Sequence, residues 1–223
     1  MTRTALRDRE LPPYTRGEEV ANMVTHIVGG SLGVIILALC VVTAVLHHNP
    51  WAVVGGAIYG GSTILLYTVS SVYHGLKPCT GKKVMQVIDH CTIYLMIAGT
   101  YTPILLAAIR PRYPGVAWAI FGAEWALTAF AVTLTAIDLE KYKRLSMACY
   151  IAMGWCIVLA AYPTIQTISL AGFIWLVLGG VSYTIGAVLY AHGRKKRYLH
   201  TVFHVFVDIG TVLQAVCILL YVM

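Results

Sequence analysis

The chain has 223 residues, of which 59% are hydrophobic and only 11% charged, with a formal net charge of +7. A soluble domain carries roughly 25% charged residues, so a water-soluble globule is excluded. The mean hydropathy of +0.77 instead suits one compact helical bundle in a bilayer. The positive balance does not mark a nucleic-acid binder, because Lys and Arg cluster between apolar runs, where membrane topology requires them.

In chain order, residues 1–18 form a polar tail containing Pro12 and Pro13. It is too charged for a cleavable signal peptide, so the first apolar run reads as an anchor that stays in the protein. Seven segments approach the ~20 residues needed to cross a bilayer. They lie near 24–46, 51–73, 85–109, 115–137, 145–163, 167–191 and 199–222, the fifth being cut short by Tyr162-Pro163. The expected architecture is therefore an all-α integral membrane protein, a seven-transmembrane helix bundle forming one domain over residues 1–223. No internal repeat, linker or low-complexity segment interrupts it.

Charge orients this bundle. Of the 16 Lys and Arg residues, all but Arg110 and Arg112 fall on one side: in the tail (Arg3, Arg7, Arg9, Arg16), in the second loop (Lys77, Lys82, Lys83), in the fourth (Lys141, Lys143, Arg144) and in the sixth (Arg194, Lys195, Lys196, Arg197). Positive charge stays in the cytoplasm, which predicts a cytoplasmic N-terminus and an outside C-terminus.

Within the spans, Gly29-x-x-x-Gly33, Gly56-x-x-x-Gly60 and Ser182-x-x-x-Gly186 are spaced for close helix contact. Pro103 is expected to kink the third span, with Thr100 or Thr102 satisfying a freed carbonyl. The six cysteines contain no Cys-x-x-Cys pair and mostly sit in apolar runs, where free Cys acts as a small hydrophobe. No span contains lysine, so a retinal Schiff base has no anchor, and a rhodopsin-type receptor would place its N-terminus on the opposite side.

The chemistry gathers in three places. His200 and His204 are four apart at the start of the last span and project from one helix face. Ser70 and His74 close the second span, and Asp89 lies one or two turns into the third. With the predicted topology all five fall within roughly 10 Å of the cytoplasmic boundary, at 1.5 Å rise per residue. Three neutral imidazoles and a water make a catalytic zinc set with an open position. His74, His200 and His204 are the candidate ligands, with Asp89 placed to hold the water or act as general base and Ser70 to donate to the water or to a developing oxyanion. The competing reading is a hydrogen-bonded cluster that joins helices, or a proton relay.

Other polar residues are weighed beside these. Asp208, one turn beyond His204, suits either an imidazole-orienting carboxylate or packing. Glu124, in mid-span, is expected to be protonated or paired. Glu19, Asn22 and His26 share a face at the start of the first span and read as a helix cap or interfacial contact. His90, next to Asp89, should point away from the set. His47, His48 and His192 read as solvated.

Taken together, Ser70-Ser-Val-Tyr-His74, Asp89 within Ile88-Asp89-His90, and His200-Thr-Val-Phe-His204 resemble the signature of the hemolysin III proteins. These are the bacterial branch of the progestin and adipoQ receptor family, within a superfamily that includes alkaline ceramidases. Ala98-Gly-Thr-Tyr-Thr-Pro103, Gly154-Trp155 and Gly179-Gly-Val-Ser-Tyr183 add to the likeness, which runs from about Glu18 to the end. The resemblance implies seven helices with the N-terminus inside, zinc held by the three histidines, and a water positioned by Asp89 and Ser70. It also implies residence in a bacterial plasma membrane and membrane lipids as partners. Relatives in the receptor and ceramidase branches are associated with hydrolysis of lipid amides, so the expected function is a zinc-dependent hydrolase of a membrane-lipid amide or ester, serving lipid homeostasis. The alternative is a non-enzymatic membrane sensor or regulator with structural zinc. A pore-forming cytolysin, the sense of the family name, fits least well, because no span carries the repeated charges of a wide pore. The short tail departs from the receptor branch, whose long N-terminal regions serve partner binding.

Overall fold

The computed structural model describes residues 4–192, except the His192 side chain, and 196–223. Arg3, Arg194, Lys195 and the His192 side chain, all used in the sequence reading, lie outside the described residues. The described chain is helical throughout, with no strand. The helices are α1 (Arg16–Leu46), α2 (Pro50–Gly75), α3 (Thr80–Pro103), α4 (Pro114–Ile137), α5 (Leu139–Trp155), α6 (Ala161–His192) and α7 (Leu199–Tyr221).

Local chemistry sets their ends. Thr15 and Glu18 close a capping box at the start of α1, each side chain bonding the other's backbone amide. Asn49 caps α2 ahead of Pro50, whose missing N–H is not needed at the first helical position. Asp138 separates α4 from α5, accepting from the amides of Lys141 and Thr4. Burial pushes its carboxyl up, but the amides of Thr4 and Lys141 outweigh this and hold it below its ordinary value. The tail is thereby tied to the loop before α5, a tie reinforced by Arg9 donating to the Ile137 carbonyl, and it is tied to α3 by Lys83 donating to the Arg7 carbonyl.

Among the described residues, six helical stretches are long and apolar enough to cross a bilayer: Arg16–Leu46, Pro50–Gly75, Thr80–Ile109, Pro114–Ile137, Leu139–Ala191 and Leu199–Tyr221. The fifth and sixth expected spans thus merge into one stretch of 53 residues. The reason is that Tyr162-Pro163 does not end a helix. A 3-10 turn, Cys156–Ala160, carries the chain out of α5, and Pro163 sits in the first turn of α6, where its missing amide costs nothing. The interruption comes later, at Ser169, whose φ of 66° and ψ of 166° belong to a region nearly reserved for glycine. Its hydroxyl accepts from the Gly172 amide and so restarts the helix as a cap.

At Pro103, where a kink was expected, the third span changes its helix type. Beyond Pro103 the helix widens to a π form over Ile104–Ile109. Thr100 and Thr102 do bond carbonyls, but those of Met96 and Ala98, rather than the Gly99 carbonyl that faces the proline.

The small-residue motifs bring backbones together. An added methyl at Gly60 would sit 2.6 Å from Leu37 Cα, and one at Gly29 would overlap the Tyr67 ring. The α1–α2 seam is therefore closed by packing that tolerates nothing larger than hydrogen. At the α6–α7 contact, Gly186 faces Phe203 and Phe206, and Ser182 donates to the Phe206 carbonyl. Around these seams lies a core of Tyr59, Ile104, Leu105, Ile109, Cys217 and Ile218, all fully buried.

Candidate metal centre

Helix periodicity positions the imidazoles. His74 is in the last turn of α2, and His200 and His204 follow one another on one face of α7. The turn into α7 is made by Tyr198 in the left-handed conformation, φ 60°, with its amide donating to Glu18 Oε1 at the start of α1. That bond brings the beginnings of α1 and α7 together. One ring nitrogen from each of His74, His200 and His204 lies within 4.8 Å of the other two. His200 Nε2 and His204 Nε2 are 3.1 Å apart.

The donor set fits a metal ion. His74 Nδ1 lies 2.7 Å from the Glu19 carboxylate, and His74 Nε2 is buried with no hydrogen-bond partner. With Nδ1–H donating to the carboxylate, Nε2 presents a lone pair. His204 Nδ1 lies 3.3 Å from the Asn22 carbonyl and 3.3 Å from Thr25 Oγ1. With Nδ1–H donating to the carbonyl, Nε2 again presents a lone pair, and that lone pair faces His200 Nε2. Two imidazole nitrogens on a tetrahedral zinc, each bonded at about 2.0–2.1 Å, sit roughly 3.3 Å apart. The α7 pair already has nearly that spacing, while His74 has some distance to close. The absence of sulfur from the set favours a borderline metal over a soft one.

Ser70 and Asp89, the other two residues singled out in the sequence, line one cavity with His200 and His204. Ser70 Oγ is buried beside the Asp89 carboxylate, its polar neighbour. The cavity has a volume of about 170 Å³ and continues along α7 to Gln214. From His204 to Gln214 is about 15 Å of helix. Leu66, Ile97, Trp155 and Leu176 are among its apolar walls.

Some expectations require correction. His90 does not point away: its ring lines the same cavity, with Nδ1 at 2.8 Å from the Gln86 carbonyl and Nε2 at 3.2 Å from the Tyr190 hydroxyl. Successive helical residues diverge by only about 100°, so both can flank a wide space. Glu19, Asn22 and His26 are neither cap nor interfacial contact. Glu19 meets His74, Asn22 meets His204 through its carbonyl and Thr201 through its side chain, and His26 stacks on His204 at 3.6 Å and 12°. Their shared helical face was the signal in the sequence. Asp208 faces Tyr67 rather than an imidazole. Glu124 is paired, as expected, and accepts from the Cys156 thiol. His47 and His48 are exposed, and His47 Nδ1 approaches the Met223 carbonyl at 2.6 Å.

Tyr14, also unforeseen, lies against His200 with ring centroids 5.0 Å apart and 6.0 Å from His74. It closes the cluster on the tail side. Losing an aromatic contact of about 0.5–1.5 kcal/mol should open this route. Tyr14→Ala is expected to let a soluble chelator strip a metal-loaded sample up to about tenfold faster, measured by stopped-flow with a zinc indicator. An unchanged stripping rate would mean that the ring does not guard the site.

A bundle with six bilayer-length stretches and three imidazoles converging inside it defines a helical membrane protein with a candidate metal site. Comparison with known proteins gives its family. Residues 14–215 match the Haemolysin-III related family, and the chain belongs to that family. It is 34% identical to Hemolysin-3 of Bacillus cereus, with 92% of each chain covered. It is 32% identical to the Hemolysin-3 homolog of Bacillus subtilis, covering 93% of this chain and 96% of the relative. More distantly, it is 27% identical to human monocyte to macrophage differentiation factor over 85% of this chain and 78% of that protein. The last match supports the wider relationship to the progestin and adipoQ receptor family.

Proposed function

We propose that this protein is a zinc-dependent hydrolase of a membrane-lipid amide or ester, contributing to lipid homeostasis in a bacterial plasma membrane. The observation behind this reading is a cavity with Ser70, Asp89, His200 and His204 at one end and apolar walls along its length. A cluster that only joined helices would need no such space beside it. Bound zinc would supply Lewis acidity at a substrate carbonyl and lower the pKa of water. The protein's residues do the remaining work. His74, His200 and His204 hold the ion. Asp89 takes the proton of the attacking water, and Ser70 donates to the oxygen that gathers charge. Leu66, Ile97 and Leu176 hold the acyl part and exclude bulk water.

The topology we propose has seven spans, with the N-terminus in the cytoplasm and the C-terminus outside. The 53-residue stretch would measure about 80 Å as one straight helix, against a hydrocarbon core of about 30 Å. The break at Ser169 supports folding it back as two spans, and the Lys and Arg distribution supports the orientation. A periplasm-dependent phosphatase fused after Met223 should be active; an inactive fusion would reverse the orientation.

The hydrolase reading is tested with zinc-loaded protein in nanodiscs of native lipid, followed by mass spectrometry. Free fatty acid should accumulate with wild type and not with His204→Ala. Identical lipid profiles with and without wild-type protein would remove the hydrolase reading.

A further inference from the structure

The buried charges beside the histidine cluster are not used by the chemistry above. Glu19 on α1 contacts His74 on α2 through Oε2, at 2.7 Å, and Lys82 on α3 through Oε1, at 2.5 Å. The side chains of His74 and Lys82 are 0% and 3% exposed, and that of Glu19 is 19% exposed. Burying a lysine is costly unless its ammonium is paired and hydrogen-bonded. This one is satisfied on several sides. Beyond Glu19 it donates to the Leu76 carbonyl at 2.9 Å, at the carbonyl end of α2, and it lies 5.2 Å from the Tyr73 ring centre. Lys82 thus holds one oxygen of Glu19 in place and leaves the other facing His74 Nδ1.

We propose that Glu19, fixed by Lys82, is the positioning residue of the histidine cluster: it keeps the His74 proton on Nδ1 and thereby turns the Nε2 lone pair toward the site between His200 and His204. The inference rests on the metal-binding part of the preceding reading and does not need turnover. A free imidazole is divided between two tautomers and free to rotate, and a carboxylate partner removes both freedoms and makes the ligand more basic. The unpartnered Nε2 is what such an arrangement leaves for a cation. His204 is held in the same sense by a backbone carbonyl. The carboxylate is reserved for His74, which comes from a different helix from the other two and has no neighbouring ligand on its own helix to align it. Glu19 therefore ties α1, α2 and α3 to the single ligand that α7 does not supply.

The substitution Glu19→Gln separates positioning from packing, since the amide has nearly the same size but no charge and can offer His74 the wrong partner. Outer-sphere partners of this kind are worth about 10–100-fold in metal affinity. Purified Glu19→Gln, with helicity and elution volume like wild type, should bind zinc about 10–100-fold more weakly in competition with a calibrated chelator. Lys82→Met, which frees the carboxylate, should weaken binding in the same direction and less severely. A purely structural ion pair would lower the melting temperature of the metal-free protein and leave zinc affinity alone; that result would overturn the proposal. If both variants fail to fold, 15N-imidazole spectra of metal-free wild type decide, with the His74 proton expected on Nδ1. A proton on Nε2 would overturn the proposal. Wild type that binds no zinc would sink the metal reading above, while the spectra would still report on the Glu19–His74 arrangement.

Discussion

Replacing His200 and His204 together by alanine is expected to abolish stoichiometric zinc, from about one ion per chain to background, as measured by elemental analysis of purified protein. Zinc sites of the catalytic type use three protein ligands. The double variant leaves only His74, one ligand of the three. The helix should survive, because alanine is the best helix former and, among the described residues, the hydrogen bonds of the two imidazoles outside the cluster go to Asn22 and Thr25. Retained metal would place the ion elsewhere, and the convergence of the three rings would then need another explanation. Loss of metal with an intact far-ultraviolet spectrum would tie the ion to these residues.

The second large effect is expected at Asp89. Asp89→Asn keeps the shape of the side chain and removes its ability to take a proton. General bases contribute typically about 10²–10⁴-fold, so lipid turnover should fall by that factor while zinc content stays at the wild-type level. Ser70→Ala removes the hydroxyl beside the Asp89 carboxylate, and a donor to a developing oxyanion is worth about 10²–10³-fold. The pair of measurements matters more than either alone. Turnover that falls without loss of metal marks a reacting group. Loss of both together marks a residue that only holds the site in shape. If wild type shows no turnover but membrane order still changes when Asp89→Asn replaces it, the protein acts as a regulator with structural zinc.

The meeting of α2 and α7 was legible in the sequence, because imidazoles are rare in apolar helices and the charge pattern put His74, His200 and His204 at one level; their ring nitrogens lie within 4.8 Å of one another. The sequence did not show the contribution of α1. Glu19, Asn22 and His26 are residue types that occur at any membrane interface, and only the identity of their partners, which is a tertiary fact, distinguishes a second ring of support from a wet helix end. Tyr14 and Lys82 were hidden in the same way: a tyrosine in a proline-containing tail and a lysine in a basic loop carry no signal of burial. The break at Ser169 was invisible for another reason. Thr167-Ile168-Ser169-Leu170 contains neither glycine nor proline, while Pro163, the residue that suggested an end, occupies the one part of a helix that tolerates it. The widening after Pro103 was half legible, since proline announces a disturbance but not whether the chain answers with a kink or a π turn.

The glycine seam between α1 and α2 also constrains traffic through the molecule. Two backbones separated by little more than hydrogen atoms cannot part to admit an acyl chain without losing the contacts that hold them, so that flank is shut. The α5 side of the cavity is packed less closely. Ile151 lines the cavity and is still 36% exposed, and one helical turn away Gly154, on the same lining, meets no packed neighbour within 4 Å of where a side chain would begin. Exchange between the cavity and its surroundings is thus left to flanks other than the α1–α2 seam.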